Sequence, residues 1–183
     1  MDSVDLSQLE HRARRKYEWA RARRALLGFA PSLGVVTIAA LANKHPMSAV
    51  TFGAAMFVVG AGLLWYGREI RRAVLPGLAM GILPLALALC ANHMGHACMG
   101  DHCMMLCVPA CSLGGLGAGV GISIIGVRWK QSWPFWAGAT ALTLLTGAMG
   151  CSCVGYSGVA GLAVGYGVGL MWGFAQRRLS SSP

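Results

Sequence analysis

Residues 47–66 read MSAVTFGAAMFVVGAGLLWY, and residues 67–72 continue GREIRR. The first stretch holds no Asp, Glu, Lys or Arg, closes on Trp65 and Tyr66, and runs straight into arginines. A bilayer core takes roughly 20 apolar residues as helix, with aromatic and then basic residues where the helix leaves the hydrocarbon. A soluble amphipathic helix would show a polar face at the 3.6-residue period, and this stretch has none. It is expected to span a membrane.

Working outward, uncharged stretches of similar length recur at Ala25–Leu41, Ala73–Ala91, Met104–Val127, Trp133–Gly150 and Tyr156–Ala175. The whole chain is 56% hydrophobic and 11% charged, with a mean hydropathy of +0.58, which excludes an ordinary soluble domain. The expected fold is all-α: a polytopic integral membrane protein with six transmembrane helices and both termini cytoplasmic. Residues 1–24 would form a basic, helical cytoplasmic arm, residues 25–178 the membrane domain, and residues 179–183 a short tail. The first apolar segment follows a charged arm and carries Pro31 rather than a small-residue cleavage site, so it is expected to be a helix and not a signal peptide.

Charge sets the orientation. The basic residues cluster at Arg12 to Arg24, at Arg68, Arg71 and Arg72, at Arg128 and Lys130, and at Arg177 and Arg178. Six spans with the N-terminus inside put fourteen of the fifteen Lys and Arg in the cytoplasm and leave Lys44 outside. Trp65, Tyr66, Trp129, Trp133, Trp136 and Trp172 fall at the same boundary. A formal charge of +9 then reports topology and attraction to anionic lipid, not direct binding of nucleic acid.

In the arm, Ser7 and Glu10 have capping-box spacing, and Leu6, Leu9, Ala13, Tyr17 and Ala20 fall near one helical face. One reading is a basic helix lying on the inner leaflet. The other is a docking helix for a cytoplasmic partner, with Arg14, Arg15, Tyr17 and Trp19 as contact residues. Glycines recur four apart as Gly161, Gly165, Gly169 and Gly173 in the last span, and as Gly115/Gly119 and Gly117/Gly121 in the fourth. Small residues let helix backbones approach in lipid, so these two spans are expected to pack together, with homodimerisation as the alternative.

The chemistry gathers on the opposite side from the arginines. Cys90, Cys98, Cys103, Cys107, Cys111, Cys151 and Cys153 all lie at or near outer helix ends, as do His45, His93, His96 and His102. Residues 92–103 read NHMGHACMGDHC, and Cys151-Ser-Cys153 joins the last two spans. Three readings stay open: structural disulfides, with an odd cysteine left over; a soft-metal site for copper(I) or zinc, using thiolate, imidazole and the nearby methionines; and a redox-active thiol relay. The candidate metal or redox residues are Cys98, Cys103, Cys107, Cys111, Cys151, Cys153, His93, His96 and His102. The four-residue spacing of Cys103, Cys107 and Cys111 would align them on one face of a helix. No charged residue lies within a span, which argues against a proton- or sodium-coupled transporter. No nucleophile elbow, metalloprotease pair or phosphate-binding loop is present, so no enzyme is expected. Thiol–disulfide exchange is the only catalysis these residues would support.

From Cys107 to Arg178 the chain resembles the NrsF-like six-helix membrane anti-sigma factors of bacteria. The likeness rests on the Cys107-Val-Pro-Ala-Cys-Ser-Leu-Gly-Gly115 stretch, inner-loop Arg128, the Trp136-Ala-Gly-Ala stretch and Cys151-Ser-Cys153 opening a glycine-rich last helix. It implies a protein that holds a sigma factor through its cytoplasmic arm and releases it on metal or oxidative stress at Cys107 and Cys151 or Cys153. The His/Cys/Met-rich outer loop and the short arm depart from that pattern. The expectation is therefore a bacterial inner-membrane protein whose outer face, periplasmic or extracellular, binds a soft metal or responds to thiol oxidation. Its partners would be the bilayer, a cytoplasmic regulator such as a sigma factor, and a second copy or a larger membrane complex. The alternatives are a passive copper- or mercury-type carrier and a disulfide-stapled structural subunit.

Overall fold

The computed structural model describes residues 3–42, 46–66, 68–94, 96–99, 102–152 and 155–180. Among these described residues seven helices follow one another, with one short hairpin: α1 (Ser3–Phe29), α2 (Pro31–Ala42), α3 (Pro46–Tyr66), α4 (Arg68–Met94), β1 (His96–Met99), β2 (His102–Met105), α5 (Cys107–Arg128), α6 (Trp133–Cys151) and α7 (Tyr156–Ser180). Four of them are long and apolar enough to cross a membrane: Met47–Trp65, Arg72–Ala91, Cys107–Arg128 and Tyr156–Gln176. A fifth crossing is available if α1 and α2 count as one broken span, since Arg12–Phe29 and Ser32–Leu41 meet at 42°.

That break has a local cause. Pro31 has no amide hydrogen to donate back into α1 and its ring crowds the preceding turn. The Ser32 hydroxyl takes up the Phe29 carbonyl at 2.6 Å, and the Leu33 amide restarts the ladder on Ala30 at 3.0 Å. The helix therefore does not begin at the edge of the apolar segment. It runs unbroken from Ser3 through the basic arm to Phe29, which also places Ser7 inside α1 rather than at its cap.

The interior is built from two parallel helix pairs. In the first, Gly77 of α4 sits against Ala139 of α6, Gly81 against Thr143 and Thr146, and Leu85 against Gly150. The buried Thr143 hydroxyl ties them by donating to the Gly77 carbonyl at 3.0 Å. In the second pair α5 lies on α7 with main chain close against main chain. Gly165 abuts Ser112, Gly169 abuts Leu116, and Gly115 and Gly119 abut Leu162 and Tyr166. Association in lipid depends on packing, and two facing rails of glycine allow main chain to meet main chain. Gly117 and Gly121 are not part of those rails. They meet Leu83 and Met80 of α4, because a two-residue step along a helix turns to another face.

α6 is the central element, touching α2, α3, α4, α5 and α7. It falls outside the set of helices apolar enough to span alone, since Thr140, Thr143, Thr146 and several glycines dilute it. Its enclosure by other helices explains why it needs less apolar surface than a lipid-facing helix. α3 runs antiparallel to it: the Ser48 hydroxyl lies 3.2 Å from that of Ser152, and the Thr146 hydroxyl lies 3.2 Å from the Met56 sulfur. α1 and α2 cover α3, with Phe29 over Gly60 and Val36 over Gly53. Among the described residues the buried polar side chains are all hydroxyls, Ser32, Ser123, Thr143, Thr146 and Ser152. No buried side-chain nitrogen or oxygen among them lacks a hydrogen bond, as a low-dielectric interior demands.

Candidate functional site: the cysteine-bearing end

These pairings sort the helix ends. The first turns of α3, α5 and α7 and the last turns of α4 and α6 meet at one end, with the hairpin between α4 and α5. The arginine-bearing termini of α4, α5 and α7 gather at the other, where Trp136 packs on Phe174 at 4.8 Å and covers Gly126. α1 leaves from that same end, because it runs antiparallel to α3, with Phe29 over Gly60 and Gly28 beside Leu64. Thiols and arginines thus occupy opposite ends of one bundle.

At the cysteine end, α5 opens with Cys107 and holds Pro109 in its first turn, where a missing amide hydrogen costs nothing. One turn on, Cys111 is fully buried beneath the last residue of α6, Cys151, which is equally buried. The two are joined in a disulfide with their Cα atoms 5.9 Å apart and a sequence separation of 40. Ala88, Ala148 and Leu162 pack around it. This joins the two helix pairs, since α5 belongs to one and α6 to the other.

Cys111 and Cys151 take the disulfide arrangement, one of the three readings open for the cysteines. One expectation changes: Cys103, Cys107 and Cys111 do not share a helical face, because Cys103 lies in β2 and α5 starts only at Cys107. Cys107 is a free, half-buried thiol, and Cys90 on α4 is free and exposed. His93 lies in the last turn of α4, with His96 and Cys98 in β1 and His102 and Cys103 in β2. The hairpin register sets Cys98 opposite Cys103, His96 opposite Met105, Ala97 opposite Met104, and Met99 opposite His102. Cys153, His45 and Lys44 lie outside the described residues, as does Asp101. Among the described residues no group of three or more His, Cys, Asp or Glu is arranged to hold a metal ion.

The hairpin is the feature that differs from the sequence expectation; the sequence between its strands reads Gly100-Asp101, a glycine-first pair of the kind tight hairpins favour.

At the opposite end, Tyr17 and Trp19 of the arm are 70% and 72% exposed, and Arg14 and Arg15 are exposed beside them. Arg14 pairs with Glu18 one turn on at 3.6 Å, a solvent-screened contact that leaves the arm strongly basic. At 100° per residue, Tyr17 and Trp19 lie on nearly opposite sides of α1, and Arg24 falls within the arc of Leu6, Ala13 and Tyr17.

Compared with protein-family models, curated proteins and solved structures, the chain matches none.

Proposed function

We propose that this chain is a bacterial inner-membrane protein that binds a soft metal ion, or responds to thiol oxidation, at its outer face and reports the event through its N-terminal helix, in the manner of an anti-sigma regulator. The observation that carries this reading is the segregation of chemistry: free thiols and the His/Cys/Met hairpin at one end, a projecting basic helix at the other. In this reading α1 with α2 forms one broken span and α6 another, making six crossings with both termini in the cytoplasm. At 1.5 Å per residue, the 19 residues of α6 extend about 28 Å, close to the hydrocarbon thickness. Fourteen of fifteen basic residues then lie inside. The resemblance of residues 107–178 to NrsF-like anti-sigma factors supplies the class of partner, a sigma factor docked on Arg14, Arg15, Tyr17 and Trp19.

Coupling between the ends would run along the chain from the hairpin into α5, then through contacts of α5 with α4 and α6, α6 with α3, and α3 with Phe29 at the root of the arm. Hydrogen exchange over residues 12–24 in nanodiscs tests it. Copper(I) or a disulfide-forming oxidant is expected to change exchange there in the parent, and not in a variant with Cys98, Cys103 and Cys107 all replaced by Ser. An arm indifferent to both treatments in the parent contradicts the reading.

One observation favours a second reading. The buried Cys111–Cys151 bridge is what a structural subunit of a larger membrane complex would use to stay rigid. Mild-detergent co-purification separates the two: a soluble regulator comes with a sensor, other membrane chains with a subunit. A passive carrier would bring neither, and its need for inner ligands is met only by His11.

A further inference from the structure

We infer that the root of the arm carries a binding site for the headgroup of one anionic phospholipid, held by Arg23 and Arg24 and flanked along the helix by Trp19 and Leu27. A shallow groove there is lined by Lys16, Trp19, Ala20, Arg23, Arg24 and Leu27 of α1. At 100° per residue, Lys16, Ala20, Arg23 and Leu27 fall within about 60° of one another, with Trp19 and Arg24 to either side. Glu18 is the one acidic residue between Arg12 and Leu27, and it lies on the other side of the helix, paired with Arg14. The groove thus has three cations and no acidic side chain among its lining residues.

Its place in the fold decides what sits in it. Ala25 and Phe29, on the far side of α1, are buried, Phe29 against Gly60 of α3, so the groove faces away from the bundle. Leu26 and Leu27 are 47% and 62% exposed, as apolar side chains are where lipid is the neighbour. At 1.5 Å per residue, Arg23 and Arg24 lie about 4–6 Å along the axis from Leu27, close to the thickness of one headgroup layer. Side chains lean toward the N-terminus of their helix, here out of the hydrocarbon, so both guanidinium groups reach phosphate level. There a guanidinium takes a phosphate through two parallel hydrogen bonds, and the Trp19 ring suits the same interfacial layer. A zwitterionic headgroup would bring an ammonium into a groove that already holds three positive charges. An anionic one does not.

A headgroup bound in this way ties α1 to the leaflet at the point where the arm becomes a span. Arg14 and Arg21 project from the other side of the helix and stay clear of it. The site needs only that α1 enter a bilayer, whatever the cysteine end responds to.

The test uses full-length protein in nanodiscs of phosphatidylglycerol and phosphatidylcholine with matched acyl chains, and native mass spectrometry to count the lipids retained on release. The parent should keep one phosphatidylglycerol in preference to phosphatidylcholine, and millimolar inorganic phosphate should not displace it. Arg23→Gln and Arg24→Gln should each reduce the preference about fivefold. Arg21→Gln, at nearly the same depth on the opposite side, should reduce it by less than about twofold. Thermal unfolding matched to the parent in every variant guards against misfolding as the cause. Equal losses in Arg21→Gln and Arg23→Gln would show a diffuse positive field in place of a site and overturn the inference. A parent with no preference for phosphatidylglycerol, or one whose lipid is displaced by inorganic phosphate, overturns it as well.

Discussion

Cys111 and Cys151 have side chains with 0% exposure and bridge 40 residues of sequence. Closing a loop of that length restricts the unfolded chain and contributes about 2–4 kcal/mol. Cys111→Ser and Cys151→Ser are each expected to lower the midpoint of thermal unfolding in detergent, and the double variant to lose no more than either single. Thiol labelling of the parent should reach Cys90 and Cys107 under native conditions and Cys111 and Cys151 only after unfolding and reduction. That cysteines converge at one end was readable from charge alternation and segment length. Which cysteine meets which was not, because pairing depends on the parallel stacking of α4 on α6 and α5 on α7, and no local pattern in the chain encodes a neighbour 40 residues away. Strand gives way to helix at Leu106, so the span expected from Met104 begins inside β2, and Pro109 sits in the first turn of α5.

Among the elements, the α5–α7 contact offers the sharpest comparison. A Cβ on Gly165 would come within 2.9 Å of the Ser112 carbonyl carbon and 3.1 Å of its Cα, main-chain atoms that cannot swing aside. A Cβ on Gly167, two residues on, would meet nothing within 4 Å. Gly165→Ala is expected to destabilise by about 1–3 kcal/mol, as overpacking does, while Gly167→Ala stays near neutral. Chemical unfolding in mixed micelles compares them, and equal effects would mean that the two backbones do not touch. The glycine rails were legible as a four-residue repeat. The separate role of Gly117 and Gly121 against α4 was not, since the repeat alone does not say which neighbour each face meets. α6 carries the complementary lesson. Its uncharged length marks it in the sequence, but its place at the centre shows only in the structure, where neighbours replace lipid.

For the molecule as a whole, α1 passes through Arg24 into Phe29 without a break, so the basic segment continues directly into the first apolar turn. Substituting Pro for Ala22, within the exposed arm, removes one helical hydrogen bond and should uncouple residues 12–21 from the bundle at a local cost of about 3 kcal/mol. Unfolding of the membrane domain should stay unchanged while any response of the arm disappears; an intact response would mean that the signal does not run along α1.

All of this rests on the two ends of the bundle facing opposite sides of one membrane. Spheroplasts treated with a membrane-impermeant maleimide after mild reduction, with each site read by mass spectrometry, measure that directly. Cys98, Cys103 and Cys107 should be labelled in intact spheroplasts, and a Ser3→Cys variant labelled in the arm only after the membrane is opened. Labelling of Ser3→Cys in intact spheroplasts, or protection of all three outer cysteines there, would contradict the account.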